Sequence, residues 1–198
     1  MNLDPEYWQN RYEVNDHTWD IGYASKPLAE YIAQLKDKDI KILIPGCGNS
    51  YEAALLWNSG FRNVYVLDYA ALPLNNFAAT NPAFPVDHLF CEDFFQHKGQ
   101  YDLILEQTFF CALDPSLRKK YASKMYELLN DNGKVAGLLF DCSFDKEGPP
   151  FGGSKMEYEN YFKPIFSSVK MEPAYNSIPR RAGRELFIIL QKRVLSHE

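Results

Sequence analysis

Gly46 and Gly48 flank Cys47 in the run Ile44-Pro45-Gly46-Cys47-Gly48-Asn49-Ser50, directly behind a compact apolar segment over residues 40–44. Glycines at such a point let the backbone take positive φ and approach a ligand closely. Taken alone, they are weak evidence, since a tight strand-to-helix turn also explains them. Asp68 narrows the choice. It ends a second apolar run, residues 64–67, about 20 residues further on, where a carboxylate bonds ribose hydroxyls in nucleotide sites. An acidic residue there can instead cap a helix, but the paired spacing favours a nucleotide-type ligand. Residue 51 is Tyr, so the third glycine of the dinucleotide fingerprint is missing, which argues against NAD or FAD. No Gly-Lys-Ser/Thr run marks a phosphate loop either. The expected ligand needs close backbone contact but no anion cradle.

Other residues suggest what that ligand carries. Asp93 can accept a bond from an adenine amino group, and Phe94 offers a ring face; a polar turn followed by core aromatics accounts for both equally. Trp8, Tyr12 and Trp19 are large rings ahead of the first strand, in a segment without clear amphipathic period. S-adenosylmethionine carries a positive sulfonium, and aromatic faces attract such a cation by about 0.5–2 kcal/mol each when desolvated. Core packing is the plainer explanation of the same rings.

These residues need a scaffold. From residue 40 onward, short β-rich runs alternate with helical patterns. Strands are expected at 40–44, 64–67, 88–91, 101–105, 134–140, 167–172 and 186–190. Helices are expected at 51–59 behind an N-cap Ser50, at 73–80, at 114–129 (the longest) and around 156–162. The alternation implies a mostly parallel sheet covered on both faces, and the two last strands suggest an antiparallel finish. The fold class expected is α/β, a Rossmann-like sheet of seven strands with one antiparallel, helices on both faces. It forms a single domain, with residues 1–35 as an aromatic lid segment and 36–198 as the sheet core.

Length and charge bound the rest. The 198 residues suit one domain, and the net charge of −5 comes without a run of Lys and Arg that would track a phosphate backbone. Arg180, Arg181 and Arg184 form one short basic cluster, expected as a solvated loop. A nucleic-acid partner is disfavoured. No leader or membrane-crossing stretch stands out. Cys47, Cys91, Cys111 and Cys142 are scattered, which favours neither zinc nor disulfides and suits a cytoplasmic protein.

Taken together, these residues resemble the thiopurine methyltransferase superfamily, closest to its thiol and halide methyltransferase branch. The resemblance rests on Tyr7-Trp8, Thr18-Trp19-Asp20, Ile44-Pro45-Gly46-Cys47-Gly48, Leu67-Asp68 and Glu92-Asp93-Phe94. It continues through Phe109-Phe110-Cys111-Ala112-Leu113, Met125-Tyr126-Glu127-Leu128-Leu129, Gly148-Pro149-Pro150-Phe151 and the closing run from Ile178 to Glu185. It implies S-adenosylmethionine as cofactor, held by residues matching Trp8, Trp19, Gly46, Asp68, Asp93 and Phe94. Tyr12 stands where the branch usually has a third tryptophan, and Gln107 where a tyrosine is common.

The reaction implied is in-line methyl transfer to a small nucleophile, a thiol, sulfide or halide. Opposite charges meet and cancel, so excluding water and aligning the partners speeds the step. A thiol with a pKa near 8.5 already holds some thiolate at neutral pH, and no catalytic base is named. Glu106 and Asp141 are candidates to orient a substrate, or buried carboxylates with structural work. The Gly148–Phe151 loop is expected to cover the acceptor. A Pro-Pro-aromatic motif after the fourth strand, as in amino-group methyltransferases, is absent. The partner expected is a small-molecule methyl acceptor, with neither nucleic acid nor membrane, and the protein a monomer or weak homodimer. An NAD-dependent oxidoreductase and a cofactor-binding protein without turnover are the alternatives.

Overall fold

Ile42–Pro45 (β1) is buried along its whole length, and so is most of Tyr101–Gln107 (β4). Side chains alternate faces along a strand, so continuous burial means cover on both faces. The computed structural model describes residues 2–193. Its other strands are Val64–Asp68 (β2), Leu89–Cys91 (β3), Leu129–Phe140 (β5), Ser168–Pro173 (β6) and Glu185–Gln191 (β7). The seven-stranded sheet has the order β3-β2-β1-β4-β5-β7-β6. β1 pairs parallel with β2, β2 with β3, and β4 with β5. β7 runs antiparallel to both β5 and β6, so it is the one reversed strand, as expected.

The helices are Pro5–Glu13 (α1), Lys26–Ala33 (α2), Tyr51–Asn58 (α3), Ala71–Thr80 (α4), Arg118–Leu128 (α5) and Lys155–Phe162 (α6). Among the described residues no helix is long and apolar enough to cross a membrane. The chain divides into two compact units, Met1–His97 and Lys98–Glu198. In the first, α1 packs on α4, α2 on α3, and α3 and α4 lie against β2. In the second, α5 packs against β5 and α6, and α6 against β6.

Three local expectations change. The N-terminal segment is helical: Asp4 caps α1 by accepting the Tyr7 amide at 2.9 Å, and Pro5 opens the first turn. α1 has few apolar residues and buries only Tyr12, which is why no period reveals it. Ser50 does not cap α3 with its side chain. It sits in the left-handed region at φ 59°, and its hydroxyl donates to the Gly48 carbonyl at 3.1 Å. The longest helix begins at Arg118, after a short 3-10 turn at Pro115–Leu117. It passes directly into β5 at Leu129, where Asn132 takes φ 63° and the register against β4 shifts.

Candidate cofactor site

The glycine loop is built on left-handed backbone. Gly46, Gly48 and Ser50 take φ of 58°, 51° and 59°, so the chain turns sharply out of β1 before α3 begins. Only Gly adopts this region without penalty, which explains two of the three residue types. The Cys47 amide donates to the Leu67 carbonyl at 3.1 Å, tying the loop to β2. At the end of β2 stands Asp68. Its Oδ2 accepts the Gly48 amide at 2.8 Å and its Oδ1 the Ala70 amide at 2.9 Å. Burial pushes the Asp68 carboxyl upward, opposed by hydrogen bonds from the amides of Ala70, Gly48 and Tyr69. Burial and the Asp68 charge push the Cys47 thiol well up, which leaves it a poor nucleophile.

The aromatic segment lies on this loop. The Tyr12 hydroxyl stands over Gly48, where an added Cβ would meet it at 2.7 Å. Burial, then the charge of Asp68, pushes the Tyr12 hydroxyl pKa far up, so it stays a neutral donor. Trp19 is edge-on to both Tyr12 and Trp8, with ring centroids 5.7 Å apart in each pair. The Arg11 guanidinium lies 5.0 Å from the Trp19 ring, and it also donates to the Asp16 carbonyl at 2.7 Å. Trp8, Tyr12, Trp19, Gly48 and Asp68 thus form one contact chain within the first unit.

Asp93 and Phe94 follow β3, whose register sets Cys91 beside Asp68. The Glu92 amide donates to the Asp68 carbonyl at 3.1 Å, so this turn begins at the same strand end. Asp93 Oδ1 accepts the Phe95 amide at 2.8 Å, and Phe94 is buried edge-on to Phe95. Sequence reasoning passed over Tyr69, an exposed ring directly after Asp68. Its hydroxyl pKa is raised by partial desolvation and by the charges of Asp93 and Asp4. An exposed aromatic adjoining the acidic strand end was the signal. Gln107 ends β4 in the second unit, in register with Leu138 of β5.

The second unit shows what the other candidates do. Glu106 is fully buried, accepting the Phe109 and Phe110 amides at 2.8 and 3.0 Å and the Tyr121 hydroxyl at 2.5 Å. Burial pushes its carboxyl up to about 7. These bonds hold the turn after β4, where Thr108 takes φ 54°, so Glu106 has structural work. Asp141 is exposed and accepts the Lys155 amide at 2.9 Å, at the start of α6. The Gly148–Phe151 loop is fixed at its end. The Phe151 amide donates to the Cys111 carbonyl at 2.7 Å, and Arg118 donates to the Gly152 carbonyl at 2.7 Å and to Glu157 at 2.6 Å. Arg181 departs from the solvated loop expected for the basic cluster: it is buried, 3.7 Å from Glu185.

The residues of the first unit suit S-adenosylmethionine. A carboxylate has about four acceptor positions, more than the amides on Asp68 fill, and so keeps capacity for ribose hydroxyls. Gly46 and Gly48 let a ligand approach the backbone, and the rings of Trp8, Tyr12 and Trp19 suit a sulfonium.

Comparison with known proteins gives the family. The thiopurine S-methyltransferase family profile matches residues 3–188. Thiocyanate methyltransferase 1 of Brassica oleracea is 31% identical over 90% of this chain and 81% of its own. Thiopurine S-methyltransferase of Vibrio cholerae is 23% identical over 87% of this chain and 89% of its own. The fold is similar to that of Burkholderia thailandensis 1,6-didemethyltoxoflavin-N1-methyltransferase, solved with 1,6-didemethyltoxoflavin and S-adenosylhomocysteine bound. The TM-score is 0.74 at 14% identity, over 96% of this chain and 87% of that one. With the match running across nearly the whole described length, the chain belongs to the thiopurine S-methyltransferase family.

Proposed function

We propose that this protein transfers the methyl group of S-adenosylmethionine to a small thiol, sulfide or halide, using the glycine loop and Asp68 to hold the cofactor. The observation that carries the site assignment is the bond from the Gly48 amide to Asp68, roofed by the Tyr12 hydroxyl. Gly46 and Gly48 offer backbone to the ligand, and Asp68 offers its remaining acceptor positions to the ribose. Trp8, Tyr12 and Trp19 exclude water on the sulfonium side, while Asp93 accepts from the adenine amino group and Phe94 offers it a ring face. The bound cofactor supplies an electrophilic methyl group.

The acceptor follows from family and charge. The Brassica relative is named for thiocyanate, and a small anion meeting a sulfonium cancels charge during transfer, so a dry site speeds the step. A thiolate forms from a thiol near neutral pH without a protein base. A net charge of −5 with no basic run disfavours nucleic acid as acceptor. The protein acts in the cytoplasm as a monomer or weak homodimer.

The test offers iodide, hydrosulfide, thiocyanate and an aromatic thiol separately to protein with S-adenosylmethionine, and detects methylated product by mass spectrometry. Turnover of at least one is expected. Cofactor binding without product from any acceptor would leave a binding protein and sink the catalytic proposal.

A further inference from the structure

We propose that Asp20 is the positioning residue that clasps the N-terminal aromatic segment onto the glycine loop, so that cofactor affinity depends on its carboxylate. The proposal rests on the cofactor site assigned above and deepens it.

Asp20 Oδ2 accepts from the side-chain amide of Asn49 and from the Tyr51 hydroxyl, the latter at 3.2 Å. Its Oδ1 accepts the Gly22 amide at 2.6 Å. Asn49 directly follows Gly48, and Tyr51 is the first residue of α3, so one carboxylate bridges the end of the loop and the start of the helix. Hydrogen bonds to an ionised acceptor are about twice as strong as neutral ones.

The clasp reaches the rings through Trp19. That indole precedes Asp20 in the chain and lies edge-on to Trp8 and Tyr12, and the Tyr12 hydroxyl stands over Gly48. Fixing Asp20 therefore fixes the Trp19–Tyr12 pair against the loop. Other ties of the same segment do not involve the rings. Gln9 accepts the Leu72 amide at 3.0 Å in α4, and Glu52 in the first turn of α3 accepts the Ser25 amide at 2.9 Å. They would hold the segment to the unit without setting the rings on the loop.

The experiment pairs hydrogen exchange of the ligand-free protein with calorimetric titration of S-adenosylhomocysteine, for wild type, Asp20→Ala, Asp20→Asn and Tyr51→Phe. In Asp20→Ala, exchange should rise in residues 5–24 and stay unchanged beyond residue 98, and affinity should fall about 10-fold or more. Asp20→Asn keeps one acceptor oxygen and should fall between Asp20→Ala and wild type in both readouts. Tyr51→Phe removes one donor and little packing, so it decides the matter even if Asp20→Ala unfolds; it should loosen the same segment by a smaller factor. Unchanged exchange in residues 5–24 overturns the clasp. Faster exchange with unchanged affinity overturns its link to the cofactor. Failure of wild type to bind would instead overturn the cofactor site itself, while the ligand-free exchange still decides whether Asp20 holds the segment.

Discussion

The Gly48 amide donates to Asp68 Oδ2 at 2.8 Å, joining the turn after β1 to the end of β2 through a single buried carboxylate. The two features that mark a nucleotide site in the sequence are therefore bonded to each other, and the loop's shape and the acceptor's position are set together. A change at either should be felt at both.

Asp68→Asn keeps the size of the side chain but removes its charge and replaces one acceptor oxygen with a donor. It should weaken S-adenosylhomocysteine binding by about 1.5–3 kcal/mol, the range for a hydrogen bond to a charged group. It should also lower the melting temperature, because one backbone amide at Gly48 or Ala70 loses its acceptor. Calorimetric titration and thermal unfolding check both. An unchanged dissociation constant in a folded variant removes Asp68 from the cofactor site.

Gly48→Ala places a Cβ at φ 51° and 2.7 Å from the Tyr12 hydroxyl. Strain and crowding together should cost about 1–3 kcal/mol of stability. Adding Tyr12→Phe removes the crowding oxygen but not the backbone strain, so the double variant should be more stable than the sum of the single changes predicts. Additive denaturation midpoints would mean that the ring does not bear on the loop.

Glu106 gives a pH signature. Its carboxyl is raised from 4.5 to about 7, so the native state binds the proton more tightly than the unfolded chain does. This stabilisation is complete below about 4.5, is lost as pH rises to about 7, and changes no further above that. The difference amounts to about 3 kcal/mol at 1.36 kcal/mol per unit. Asp68 and Glu185 are also raised, so the wild-type slope alone does not isolate Glu106. Glu106→Gln should reduce the loss of stability between pH 4.5 and 7, measured by urea unfolding. Parallel pH profiles for the two proteins would contradict this.

Arg118 is 2% exposed and holds Gly152 and Glu157, with its guanidinium 4.9 Å from the Phe110 ring. Arg118→Met should destabilise by about 3 kcal/mol, at the modest end for a broken buried ion pair because Glu157 is partly solvated. Proteolysis between residues 141 and 153 should become faster. A resistant loop in the variant would show that Arg118 does not anchor it.

The strand runs and the Gly46–Asp68 spacing were readable because they depend on local apolar sequence and turn chemistry. α1 was not, since Pro5–Glu13 has no apolar stripe. The early start of β5 was hidden because Asn132-Gly133 looks like a helix stop, whereas Asn132 takes its positive φ within the strand. Asp20 and Arg118 act through residues far away in the sequence, and no local pattern announces such pairs. Arg181 misled for a different reason: Glu185 lies close in sequence, but burial of the pair is a tertiary outcome.

The most direct test of the cofactor site is a crystal structure of the complex with S-adenosylhomocysteine. The ribose hydroxyls should lie within hydrogen-bond distance of the Asp68 carboxylate, with the ligand sulfur facing the wall formed by Trp8, Tyr12 and Trp19. A ribose placed away from Asp68, or a ligand that leaves the Gly46–Gly48 backbone untouched, would contradict the assignment.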